Sequence, residues 1–104
     1  MKLLIVTALK EYRQTVADIL QKAEIKVFSV SETVGYKEDH KLNLLDDWFS
    51  SGDENFDSIF IFSFTTENNA GKAMQMIKEY NSNHQNDFPI RAFIVLVEQA
   101  SYPL

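Results

Sequence analysis

The sequence predicts an α+β domain of order βαββαβ, in which a four-stranded antiparallel sheet carries two helices on one face. Three observations lead there. Two stretches place apolar residues at helical spacing, and four shorter ones are rich in β-formers. The two kinds follow one another as strand, helix, strand, strand, helix, strand. The 104 residues suit a single domain spanning positions 1–104, with no room for a second core.

Lys2 to Ala8 is an apolar, partly β-branched run and reads as a strand buried on both faces. From Glu11 to Ala23 the period changes. Tyr12, Val16, Ile19, Leu20 and Ala23 form one stripe, with Glu11, Arg13, Asp18, Gln21 and Lys22 between them, which predicts the first helix. Lys26 to Lys37 predicts a second, longer strand. Between Glu38 and Asp57 the periodicity fails. Acidic and small polar residues surround a single apolar knot of Leu44, Leu45, Trp48 and Phe49, so this region is expected to be a long loop.

Ser58 to Phe64 is the clearest strand of the chain. Thr65 or Thr66 should cap the second helix, whose predicted buried stripe is Ala70, Ala73, Met74, Ile77 and Tyr80. Asn81 to Asp87 reads as a polar turn, and Ile90 to Val97 as the last strand. The tail from Glu98 to Leu104 shows no pattern. This order is the split βαβ arrangement, a ferredoxin-like sandwich, and right-handed crossovers put both helices on the same side of the sheet.

Composition excludes several classes. Cysteine is absent, which removes disulfides and thiolate metal sites. Apolar runs reach only strand length, well short of the roughly 20 residues of a membrane span. No leader pattern opens the sequence, and a cytoplasmic location is expected. The net charge of −5 and scattered Lys and Arg argue against nucleic acid as a partner. No nucleophile elbow, phosphate loop or His-carboxylate-nucleophile spacing is present, so binding is expected in place of catalysis.

The alternation also predicts self-association. In Ile59-Phe60-Ile61-Phe62 and in Phe93-Ile94-Val95-Leu96-Val97 both faces are apolar, yet two helices can cover only one. Burial of each such side chain is worth roughly 1.5–3 kcal/mol, and a second copy of the chain would supply it.

Several polar groups are candidate sites, each with a plainer reading. Gly35-Tyr36-Lys37 at a strand end can line a ligand cleft, or Gly35 can simply mark a bulge. Arg91, one of only two arginines, can anchor an anion. Glu38-Asp39-His40 offers metal-ligand chemistry around His40, although three adjacent residues converge poorly on one ion and a solvated loop start fits better. Asp46 and Asp47 belong to an acidic run best read as solvated surface. The adjoining Trp48-Phe49 pair either anchors the loop to the body or forms a partner-facing hot spot.

The first third of the chain resembles the PII signal-transduction proteins and the wider PII-like group (nitrogen regulatory protein P-II related). The resemblance runs from Met1-Lys2 through Tyr12-Arg13-Gln14-Thr15-Val16-Ala17-Asp18-Ile19-Leu20 and Ala23-Glu24-Ile25 to Val30-Ser31-Glu32-Thr33-Val34-Gly35. It implies a homotrimer with a small effector held between subunits, near Gly35, Tyr36, Lys37 and Arg91. It also implies that the 38–57 loop, with Asp46, Asp47, Trp48 and Phe49, reaches a partner protein, either a membrane transporter or an enzyme. The departures are specific. Lys37 and Asp39 stand where the family's nucleotide-binding strand end has Gly and Gln, and Asn83 to Asp87 replaces its basic glycine-rich loop. Most phosphate ligands are thereby lost, which argues against ATP or ADP and leaves the effector unidentified. The alternative is a divalent-metal-responsive binder similar to the CutA-type proteins, using the His40 region or the acidic loop.

Overall fold

The computed structural model describes residues 1–36 and 55–102. Seven elements follow one another: β1 (Lys2–Leu9), a 3-10 turn (Lys10–Tyr12), α1 (Arg13–Lys22), β2 (Ser29–Tyr36), β3 (Asn55–Thr65), α2 (Glu67–Asn83) and β4 (Arg91–Leu96). The four strands form one antiparallel sheet in the order β2-β3-β1-β4. This is the predicted α+β, ferredoxin-like βαββαβ architecture.

Alternation along the strands sorts side chains between the two faces. Leu4, Val6 and Ala8 of β1 and Ile59 and Ile61 of β3 point to one side and are almost wholly buried. There they join Val16, Ile19 and Leu20 of α1, Ala73 and Ile77 of α2, and Ala23, Ile25 and Ile90 from the connections in one core. Both helices therefore lie on the same face.

Local chemistry sets the helix ends. The Thr66 hydroxyl accepts the Asn69 amide at 3.1 Å and starts α2. At the other end of α1, the Glu24 amide donates to Gln21 O (3.0 Å) and the Ile25 amide to Leu20 O (2.9 Å). Glu24 takes φ 66° between them, completing a Schellman stop. Leu20 and Ile25, the apolar pair that accompanies such a stop, are both buried.

Several boundaries differ from the sequence reading. The second strand begins at Ser29, not Lys26, because the Schellman stop directs Ile25 into the core. Val27 is then left 83% exposed, its carbonyl accepting the Ser63 hydroxyl at 2.7 Å. The third strand begins at Asn55, so positions 55–57 extend the ladder opposite Val34 to Tyr36 in place of ending a loop. The second helix runs on to Asn83 through residues expected in a polar turn. Its end is held by the Tyr80–His84 ring stack (centroids 4.1 Å apart) and by Asn81, which bonds the main chain of Ile90. On this helix Met76, three residues after Ala73, packs against the core, while Met74 is only half-buried. The last strand is one residue shorter at each end than expected.

Candidate functional site

The side of the sheet away from the helices is open, and its make-up changes from one end to the other. Register places Phe64, Leu3 and Val95 in one row across β3, β1 and β4, with Phe62, Ile5 and Phe93 in the next. The Phe60, Phe62 and Phe64 rings run down β3 in a ladder, with centroids 6.0 and 6.3 Å apart in tilted and edge-to-face contact. Phe64 is 52% exposed and Val95 43%. Expected burial of β1 on both faces is thus met in full on the helix side, while on the open side Thr7 is buried but Leu3 and Ile5 are only half-buried within one chain.

The opposite half of this face mixes polar groups with Phe60, Leu9 and Phe56. A row of Ser31, Phe60, Thr7 and Arg91 crosses the sheet, and beyond it the Thr33 and Ser58 hydroxyls share a hydrogen bond of 2.7 Å. By this alternation Arg91 is the sole charged side chain on the open face among the described residues. Its Nε is buried and has no hydrogen-bond partner. A buried donor left so costs about 1–3 kcal/mol unless an acceptor arrives.

Of the residues singled out in the sequence, Gly35, Tyr36 and Arg91 are described. Gly35 is buried, faces the open side and pairs with Phe56, so β2 runs through it in register and not as a bulge. Tyr36 ends the strand and is 67% exposed. One chain does not bring these residues to Arg91. Three strand spacings separate them, about 14 Å, and four positions along the strands add about 13 Å. Lys37, His40, Asp46, Asp47, Trp48 and Phe49 lie outside the described residues. No group of three or more His, Asp or Glu could hold a metal ion among the described residues. No helix is long and apolar enough to cross a membrane among them either.

A feature that sequence reasoning missed lies at the same end as Gly35. Leu9, Lys10, Glu11, Phe56, Asp57 and Phe88 line a hollow of ≈ 510 Å³. The Lys10 amine pairs with Glu32 of the edge strand at 2.8 Å. This hydrogen bond and charge hold the Glu32 carboxyl below its ordinary range and raise the Lys10 ammonium above its own. Lys10 and Glu32 are 22 positions apart, so only the strand register reveals the pair.

Comparison with solved structures places this arrangement. A protein of Thermus thermophilus assigned to the PII-like signalling group superposes with a TM-score of 0.62 at 15% identity, over 89% of this chain and 82% of its own. CPII, a nitrogen regulatory PII-like protein of Thiomonas intermedia, does so in two structures. One, bound to ADP, AMP and bicarbonate, gives 0.60 at 14% identity over 95% of this chain and 93% of its own. The other, bound to ADP, AMP and acetate, gives 0.62 at 16% identity over 94% and 88%. The fold is PII-like. No family model matches the sequence, and no curated protein does so either. The PII-like likeness thus rests on topology extending over nearly the whole chain, beyond the first third that carries it in the sequence.

Proposed function

We propose that this chain is a PII-like regulatory protein, a cytoplasmic homotrimer that binds a small effector between subunits and acts by binding, not catalysis. The observation that carries the reading is the open sheet face. Phe62, Phe64, Leu3, Ile5, Phe93 and Val95 form a continuous apolar surface that two helices on the other side cannot cover. A second and third copy would cover it. Assembly also answers the separation within one chain, because Gly35 and Tyr36 of one subunit can then approach Arg91 of another.

Arg91 makes the effector an anion in this reading, since the buried Nε of its guanidinium needs an acceptor and the face offers no carboxylate among its described residues. The CPII structures hold adenine nucleotides together with bicarbonate or acetate. Lys37 and Asp39 in place of Gly and Gln weigh against a triphosphate here, so AMP, bicarbonate and acetate form the first panel. The segment 38–54, carrying Asp46, Asp47, Trp48 and Phe49, is the proposed contact with a partner protein, a transporter being the first kind to test.

The test has two steps. Light scattering after size exclusion should give three times 12.0 kDa. Calorimetry with the panel should then show binding that Arg91→Ala weakens tenfold or more. A monomer would overturn the assembly. A trimer whose anion binding is unchanged in R91A would remove Arg91 from the site.

A further inference from the structure

We infer that Asn81 is the positioning residue for Arg91, fixing from the end of α2 which face of the sheet the guanidinium occupies; the functional weight of this rests on the proposed role of Arg91. Asn81 lies in the last turn of α2, nine residues before Ile90. Its side-chain amide donates to the Ile90 carbonyl at 2.7 Å, and its carbonyl oxygen accepts the Ile90 amide at 3.0 Å. An asparagine side chain thus offers Ile90 the donor and acceptor that a neighbouring strand would otherwise present.

The consequence is one of phase. Ile90 precedes the first residue of β4, and its side chain is 2% exposed in the core under the helices. Adjacent strand residues point to opposite faces, so fixing Ile90 inward puts Arg91 outward, opposite Thr7 on the open face. A slip of one residue would exchange the two, sending a guanidinium into the apolar core and an isoleucine to the site. Ladder bonds between β1 and β4 hold the strand laterally. The Asn81 clamp acts just ahead of its first residue, where an edge strand is otherwise free to fray. Phe88 just upstream is itself held, its amide donating to Asn86 Oδ1 at 2.6 Å. Loop and clamp together deliver the chain to Arg91 in one conformation.

NMR on the isotope-labelled full chain separates positioning from mere support. In the wild type the Arg91 Nε–H should give a protected resonance, with contacts between its side chain and the Thr7 methyl. In Asn81→Ala its exchange with water should speed up tenfold or more and the Thr7 contacts should fade, while the Val6 and Ile61 amides keep their protection. Asn81→Asp retains the acceptor for the Ile90 amide but loses the donor, and should fall between. An unchanged Arg91 signal in N81A would overturn the proposal, and so would equal loss of protection at Val6 and Ile61. If N81A does not fold, the intermediate or unchanged Arg91 signal in N81D decides. These readouts use no effector, so they stand or fall separately from anion binding in R91A.

Discussion

Glu24 holds a left-handed backbone at φ 66°, the one non-glycine residue of positive φ among those described. An L-residue there costs about 1–2 kcal/mol relative to its relaxed conformation, because Cβ crowds the carbonyl that follows. The Schellman stop nonetheless forms, since Leu20 and Ile25 are buried by it and two helix-end carbonyls gain donors. Glu24→Gly should therefore stabilise the protein by up to about 1 kcal/mol, raising Tm by about 4–8 °C in a domain of this size. A lower Tm by calorimetry would mean that the glutamate side chain contributes more than its backbone strain removes. At Thr66 the sign reverses. Loss of the hydroxyl in Thr66→Ala leaves the Asn69 amide without its cap and should cost about 1 kcal/mol in denaturant titration.

Among the elements, the 3-10 turn and the edge strand β2 are joined by Lys10 and Glu32, whose side chains are about half exposed and 2.8 Å apart. Glu32 titrates lower in the folded chain, so its contribution is present above the ordinary carboxylate range and lost as pH falls through the folded value. Lys10 titrates higher, so its contribution is present below the ordinary lysine range and lost as pH rises through its own folded value. Glu32→Gln should accordingly lower stability slightly at neutral pH, with the wild-type and variant curves converging in acid. The difference should also shrink in high salt. Urea titrations over this range check both; a gap that persists in acid would assign the effect to packing. This pair also marks the limit of reading elements from sequence. The strands Ser58–Phe64 and Ile90–Val97 were legible because a β-forming run apolar on both faces shows itself within a few residues, whereas the stop at Ala23-Glu24-Ile25 was not, since a glutamate in place of glycine gives no sign of a left-handed backbone. The Lys10–Glu32 pair and the hollow beside it depend on register across β1, β3 and β2, and no spacing in the sequence encodes that. The Asn81 clamp stayed hidden for a related reason. A polar residue near a helix end reads as turn chemistry until the main chain it binds, nine residues on, is in view. Arg91 was legible as a scarce guanidinium, but its place on the open face follows from the register of β4.

For the whole molecule the deciding feature is the unequal pair of sheet faces. Substitutions on them should separate folding from assembly. Ile61 is 1% exposed beneath the helices, and Ile61→Ala removes core atoms that cannot be replaced, so it should cost about 2–5 kcal/mol in the monomer itself. Phe64 belongs to the open face and is 52% exposed in a single chain, so Phe64→Glu leaves the helix-side core intact. In an assembly that seals this face the same carboxylate would be desolvated without a partner, which the interface cannot tolerate. F64E should therefore keep the wild-type circular dichroism yet run as a 12.0 kDa monomer in light scattering, with any effector binding lost alongside the trimer. A stable trimer of F64E would move the interface away from the aromatic ladder and leave the apolar face to another kind of partner. A variant that neither assembles nor folds would mean that chain and oligomer form together, and that the sheet needs its neighbours in order to fold.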